Sequence, residues 1–175
     1  MTGEAFTYDW RDRTDATVRP AARAIVLDAE DRVLLVRGTW DGGAFWFTPG
    51  GAIEPGEAPE ETERREVAEE TGLDPDGLEW GPCVWVRRWV WHWVERDRWI
   101  DSRERFYLAR LPVPGPPVHL DERFAEDILD LSEARWWSVE DLAASGERTS
   151  PLALAELLPG VIRGDYPDPP LEIAQ

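Results

Sequence analysis

The chain has 175 residues, a formal net charge of −17 and a single cysteine, Cys83. This length is typical of one domain with a proper core, and one cysteine excludes an internal disulfide and a multi-cysteine metal site. The charge argues against a nucleic-acid duplex or an anionic membrane as a partner, because phosphate contacts need clustered cations. No apolar run approaches membrane-spanning length and the first residues lack the apolar segment of a signal peptide, so we expect a cytoplasmic protein without a membrane partner.

Short aliphatic runs predict the first strands. Residues 22–27 and 32–36 form two such runs, and the polar residues between them predict a hairpin turn. Residues 45–48 predict a third strand, which is followed by Pro49, Gly50 and Gly51. Because glycine has no Cβ, the backbone at this turn can approach a ligand closely.

A helix is predicted at Pro59–Thr71. Proline suits the first helical position, the glutamates that follow it complement the positive helix end, and Gly72 is the expected stop. Ala58 is a weak N-cap.

The second half of the chain predicts a hairpin, one more strand and several short helices. A long antiparallel hairpin is predicted from the runs 78–94 and 99–111, followed by a proline-rich loop at 112–117. After this loop come a short helix or turn at 124–131, a strand at 135–138 and a helix at 151–158. Ser138 is expected to cap another helix, because Asp141 three residues later comes close to a capping box. The proline-rich segment 159–175 is predicted to be irregular.

The predicted helix carries a nearly pure anionic face. Glu66, Glu69 and Glu70 are spaced i, i+3 and i+4 and share one face, and Glu63 lies near the same stripe. Like charges at this spacing cost a few tenths of a kcal/mol each, and Val67 is the main large apolar residue available to a core. A solvated acidic helix is the simple alternative. Oxygen ligands grouped in this way favour a hard divalent cation such as Mg²⁺ or Mn²⁺.

The wider pattern around this face is more specific than a run of acidic residues. From Gly51 there are five residues to Glu57, seven more to Arg65-Glu66-Val67, and then Ala68-Glu69-Glu70-Thr71-Gly72-Leu73. This resembles the Nudix box, G-x5-E-x7-R-E-U-x-E-E-x-G-U with U aliphatic, at every fixed position. Seven fixed positions match by chance on the order of once in 10⁷ starts at ordinary residue frequencies.

The resemblance implies an α/β fold, the α/β/α sandwich of Nudix domains around a central mixed β-sheet. It places the domain at 20–158, between an N-terminal arm at 1–19 and a proline-rich C-terminal tail at 159–175. The activity that it implies is hydrolysis of a pyrophosphate bond in a nucleoside diphosphate linked to another moiety, by water attack at phosphorus. The cofactor that it implies is Mg²⁺ or Mn²⁺.

The resemblance also assigns residues. It implies Glu66, Glu69, Glu70 and the backbone carbonyl of Gly50 as metal ligands, with Glu126, from the loop before the last strand, as a further ligand. An exposed acidic loop is the alternative for Glu126. The candidate catalytic residues are Glu66, Arg65 and Glu57. Arg65 would pair with carboxylates of the cluster and Glu57 would hold Arg65 or the helix. Glu66 is the first candidate for the general base and a downstream acidic residue is the second.

Candidate substrate contacts lie in a tryptophan- and arginine-rich segment. Period-2 alternation puts four tryptophans on one sheet face, namely Trp85, Trp89, Trp91 and Trp93. One ring could stack on a nucleobase, Trp89 and Trp46 being candidates, whereas packing in the core or at a homodimer interface is the alternative. The segment from Trp85 to Arg110 has seven arginines against four acidic residues. Arg87, Arg88 and Arg105 are candidates to hold phosphates, with ordinary surface salt bridges as the alternative.

The sequence leaves the substrate open. The candidates are a nucleoside triphosphate, including an oxidised one, and ADP-ribose or another nucleoside diphosphate linked to a sugar. A Nudix-like domain that binds or senses a nucleotide without cleaving it is the alternative function. The resemblance implies that such binding domains tend to lose box carboxylates, so the complete box of this chain favours an enzyme.

Overall fold

The structure, a computed structural model, describes residues 13–40, 43–118, 120 and 130–174. Its strands are β1 (Thr17–Leu27), β2 (Val33–Trp40), β3 (Gly43–Phe47), β4 (Gly50–Ala52), β5 (Glu79–Trp93), β6 (Arg98–Arg110), β7 (Asp130–Trp137), β8 (Thr149–Ser150) and β9 (Leu171–Glu172). Its α-helices are α1 (Pro59–Thr71), α2 (Val139–Ser145) and α3 (Leu154–Arg163). None of these helices is long and apolar enough to cross a membrane.

The described strands form one mixed sheet. The order along its main path is β8-β3-β2-β1-β6-β5-β9, with β4 also paired to β1 and β7 to β2. The β1–β6 and β3–β8 pairs are parallel, whereas β1–β2 and β5–β6 are antiparallel. Strand β1 meets β2 only where Leu27 faces Val33, and earlier in the strand it pairs with β4 at Ala21, Ala22 and Arg23. The glycine turn is therefore held against the middle of the sheet.

Helices cover both faces of this sheet. Alternate residues of β1 point to opposite sides, so that Ile25 and Leu27 join a core with Leu142 of α2 and Leu158 of α3. Ala24 and Val26, from the same strand, pack on the other side in a cluster that includes Val67 of α1. The predicted α/β/α sandwich with a mixed sheet is confirmed, and a strand buried on both faces explains the continuous apolar run of β1.

Most predicted elements agree with the structure, including the first hairpin, the long β5–β6 hairpin and the α1 bounds. Ser138 accepts a hydrogen bond from the backbone N–H of Asp141 at 3.0 Å, as expected for the N-cap of α2. The predicted helix or turn at 124–131 lies largely outside the described residues.

The prediction of an irregular segment at 159–175 is wrong. Helix α3 continues to Arg163 with Pro159 inside it, because Leu154, Leu158 and Val161 form a buried apolar stripe. Farther on, β9 pairs with β5 at Trp85 and Val86. The division into arm, domain and tail stays a prediction, although β1 begins inside the predicted arm, at Thr17.

Candidate active site

Helix α1 presents the acidic face at a defined angle because both of its ends are fixed. The side chain of Glu61 accepts a hydrogen bond from the Ala58 N–H at 2.8 Å, which replaces the side-chain cap that alanine cannot provide. At the other end Gly72 adopts the left-handed conformation, with φ of 68°, and donates its N–H to Ala68 at 3.0 Å. Although this helix is polar, Glu63, Glu66 and Glu70 are all buried.

Arg65 gathers three carboxylates of the box. Its Nε and Nη2 donate to the two oxygens of Glu57 at 2.9 and 3.0 Å, and its Nη1 donates to Glu66 at 2.7 Å and to Glu69 at 3.1 Å. The Arg65 pKa is raised, mainly by the hydrogen bonds to Glu57. The same contacts lower the pKa of Glu57 to about 2. Glu57 is therefore ionised and a poor proton acceptor at neutral pH, which suits a residue that holds Arg65.

The turn at Gly50 is bonded to the same helix. The Gly50 N–H donates to the Glu70 carboxylate at 2.9 Å. Gly50 has a φ of 146°, and a Cβ at this position would lie 2.3 Å from the carbonyl oxygen of Ala22. Only glycine fits this close approach of the turn to β1. The glycine turn and the Glu70 carboxylate are thus brought together although they are twenty residues apart in the chain.

The donor set fits a hard divalent cation. We call Glu57, Glu66, Glu69, Glu70 and Arg65 the acidic cluster. It has three more negative than positive charges, and two of its carboxylates are buried. Buried like charges are costly, and a dication would relieve that cost with the oxygen ligands it prefers. Among the described residues, no three acidic, histidine or cysteine side chains already converge as a metal site. Glu66 and Glu69 would have to turn from Arg65 to hold one.

Two of the residues predicted to contact the substrate, Trp46 and Arg87, are buried. Trp46 is 2% exposed and packs edge-to-face on Trp137 in the core, with ring centroids 5.1 Å apart. Its predicted stacking on a substrate is wrong for the described structure, because the core contacts occupy the ring. Arg87 is also buried, and its guanidinium bonds Glu104 and the Ser150 hydroxyl. It is therefore part of an internal ion network, and its predicted direct contact with phosphate is not supported.

The other predicted contacts are more accessible. Trp89 is half-buried and stacks on Trp91, with ring centroids 5.8 Å apart, and the Trp91 and Trp93 centroids are 6.2 Å apart, so three of the four predicted tryptophans form a row on β5. Arg88 bonds Asp101 at 2.8 Å with its side chain 42% exposed, as in the salt-bridge alternative. Arg105 lines a groove of about 190 Å³ with Arg88 and Arg103. The predicted metal ligand Glu126 lies outside the described residues.

Sequence reasoning missed two residues near the turn. Arg23 donates from Nη1 to the carbonyl oxygens of Thr48 and Gly50, and from Nε to Glu104, which is 81 positions away in the chain. No local pattern marks either residue, because an arginine in an apolar run and a glutamate in an arginine-rich strand each resemble surface residues. Their pairing depends on the parallel register of β1 and β6, in which Ala22 faces Arg105.

Comparison with known proteins agrees with this geometry. A family model described as the NUDIX domain matches residues 17–157. The "RNA pyrophosphohydrolase" of Wolbachia sp. subsp. Brugia malayi is 22% identical over 134 residues, covering 72% of this chain and 78% of that protein. The "Phosphatase NudJ" of Escherichia coli K12 is 28% identical over 129 residues, covering 74% of each chain. The solved structure of a C. elegans Ap4A hydrolase binary complex has a TM-score of 0.61 at 18% identity, covering 83% of this chain and 98% of that one.

An α/β/α sandwich that places a complete acidic box beside a glycine turn defines an enzyme of the hydrolase class. Since the family model covers most of the chain, the chain belongs to the Nudix family. The predicted family and enzyme class are confirmed.

Proposed function

We propose that this Nudix enzyme uses Mg²⁺ or Mn²⁺ to hydrolyse a pyrophosphate bond in a nucleoside diphosphate linked to another moiety, by water attack at phosphorus. The observation that carries the proposal is the charge of the acidic cluster, in which three carboxylates share the Arg65 guanidinium and Glu70, bonded to the Gly50 N–H, adds a fourth negative charge. Glu66, Glu69, Glu70 and the carbonyl of Gly50 would hold the cation, with Glu126 as a further ligand. The bound metal would neutralise substrate phosphates and lower the pKa of its water.

The protein's own groups divide the remaining work. Glu66 is proposed as the general base, because Glu57, with its pKa lowered to about 2, is too acidic for that role. Arg65 orients Glu66 and Glu69, and Glu57 fixes Arg65 through two hydrogen bonds. Glu70 restrains the turn through the Gly50 N–H. These contacts keep the carboxylates together beside the glycine turn before substrate arrives, and Glu66 and Glu69 would turn from Arg65 to hold the cation.

The substrate proposed is a small nucleotide. The net charge of −17 disfavours a long nucleic acid, which would be repelled by most of the surface. The named activities of the similar proteins differ and do not select one substrate. The candidates are nucleoside triphosphates, including oxidised ones, and ADP-ribose or another sugar-linked nucleoside diphosphate, and the substrate panel below distinguishes them. Arg88, Arg105 and Trp89 are the accessible candidates for contacting it. The homodimer stays a prediction.

A substrate panel with and without Mg²⁺ tests this proposal. The panel contains nucleoside triphosphates, oxidised triphosphates, ADP-ribose, nucleoside diphosphate sugars and dinucleoside polyphosphates, and products are identified by chromatography. Glu70→Gln is expected to lower kcat by about 10–100-fold or more, because it weakens both the metal site and the Gly50 contact. The matched control is Glu60→Gln, an exposed glutamate of the same helix. Full turnover by Glu70→Gln, or no metal-dependent hydrolysis of any compound, would contradict the proposal.

A further inference from the structure

A buried ion network lies beneath the glycine turn. The side chain of Glu104 is 0% exposed and takes one guanidinium on each oxygen, Arg23 Nε on Oε1 at 2.8 Å and Arg87 Nε on Oε2 at 2.6 Å. Burial would raise the pKa of Glu104, but the two arginine charges outweigh burial and lower it to about 2. All three groups are therefore charged inside the protein.

Such a network is a poor device for stability alone. Removing three ions from water costs several kcal/mol for each, and well-packed apolar residues of similar size are often as good or better. What the ions do provide is a fixed orientation of the arginine side chains. A guanidinium held on one side by a carboxylate points its remaining N–H groups in a fixed direction.

One terminal nitrogen of Arg23, Nη1, contacts the glycine turn. Arg23 Nη1 donates to the carbonyl oxygen of Thr48 at 3.2 Å and to that of Gly50 at 3.4 Å. The Gly50 N–H donates to Glu70. The peptide groups around Gly50 are thus held by two side chains, by Arg23 through a carbonyl and by Glu70 through an amide.

The far end of the network is also anchored. Arg87 donates from both terminal nitrogens to the hydroxyl of Ser150, at 3.1 Å each. Ser150 lies in β8, which pairs with Phe47 of β3 just before the turn. The chain of contacts from Ser150 through Arg87, Glu104 and Arg23 therefore runs from a strand paired with β3 to the turn at Gly50 that follows β3.

We propose that Arg23, oriented by Glu104, is a positioning residue that aims the Gly50 carbonyl at the catalytic cation and thereby sets the affinity for that cation. This inference rests on the proposed function, in which the Gly50 carbonyl is a metal ligand. Arg23 does not touch the reacting atoms in this assignment. It acts through the turn.

The positive charge of Arg23 and its contact with the glycine turn predict opposite changes in cation affinity when Arg23 is replaced. Its guanidinium lies 3.4 Å from the proposed ligand oxygen, so loss of the positive charge alone would strengthen the binding of a dication. Loss of the positioning contact would weaken it, by about 10–100-fold if Arg23 behaves like other residues that orient metal ligands. The sign of the change in affinity therefore separates the two effects.

The experiment measures Mn²⁺ binding without substrate, from the free-ion signal in electron paramagnetic resonance. Arg23→Met is expected to raise the Kd for Mn²⁺ about tenfold or more. Arg163→Met is the matched control, because it removes an exposed arginine that pairs with Asp165 in a remote part of the chain, and its Kd should equal that of the wild type. Circular dichroism and thermal unfolding report whether each variant is folded.

Arg23→Lys decides the matter if Arg23→Met fails to fold. Lysine keeps a cation beside Glu104 but lacks the fork that reaches both the carboxylate and the turn, so its Kd should also rise above that of the wild type. Wild-type affinity or tighter in the folded variants overturns the positioning role while leaving the proposed function in place. If the wild type itself binds no Mn²⁺, the proposed function fails instead.

Discussion

Ionisation of Glu63 is expected to lower the stability of the folded protein, because this carboxyl group is buried where a negative charge is unfavourable. It lies one turn before Glu66 on α1, is 2% exposed, and its Oε2 has no hydrogen-bond partner among the described residues. Burial raises its pKa to about 9, with a further contribution from Glu60 that Arg64 partly offsets. Burial also raises the pKa of Cys83 and that of Tyr107, the latter to about 12; Glu63 adds a smaller contribution to both shifts and Arg105 opposes them.

The sign of the pH effect follows from this shift. The folded protein keeps the proton of Glu63 up to about pH 9, whereas the unfolded chain releases it near the ordinary value of 4.5. The contribution of protonated Glu63 to the free energy of unfolding is therefore fully present below pH 4.5 and is lost as the pH rises from there towards 9. At about 1.36 kcal/mol for each pH unit, the loss is about 3 kcal/mol at pH 7 and about 1 kcal/mol at pH 5.

Glu63→Gln should remove this loss, because glutamine has nearly the same shape and does not ionise. We expect the variant to be more stable than the wild type by about 3 kcal/mol at pH 7, with the gain shrinking to about 1 kcal/mol at pH 5. The measurement is urea unfolding at pH 5, 6, 7 and 8. The control is Glu156→Gln, at an exposed position of α3. A gain that does not grow with pH, or a variant less stable at pH 8, would refute a neutral Glu63.

Two glycine substitutions test the close contacts, with Gly77→Ala as the shared control because a Cβ there meets nothing within 4 Å. Gly50→Ala places its Cβ against Ala22 and should lower both Mn²⁺ affinity, by roughly tenfold, and stability. Binding equal to that of the control would show that the turn does not hold the cation. Gly115→Ala would bring a Cβ within 2.1 Å of the Trp136 ring and should cost about 1–3 kcal/mol in thermal unfolding without changing Mn²⁺ affinity. A Tm equal to that of the control would contradict this contact.

The structure adds a reason for the burial of the box carboxylates. The acidic face gave no reason to expect much packing beyond Val67, and Val67 does join the core. The glutamates beside it are nevertheless buried, because α1 packs against β1 and β4. This position keeps the acidic cluster close to the glycine turn.

What the sequence determined by itself is local in the chain. The bounds of α1 follow from Pro59 and Gly72, the shared face of Glu66, Glu69 and Glu70 follows from helical spacing, and the α2 cap follows from Ser138 and Asp141. Each of these depends on residues within about one or two turns of one another. The box spacing could therefore indicate both the family and the acidic cluster.

Only the tertiary structure decided the features that join distant segments. Glu104 lies 81 positions from Arg23, so their pairing depends on the register of β1 against β6, which no spacing in the chain encodes. The burial of Trp46 depends on Trp137, and the pairing of β9 depends on an edge left open by β5. The physical reason is the same throughout: a charge or a ring acquires its role from what surrounds it, and those neighbours are set by how the sheet is assembled.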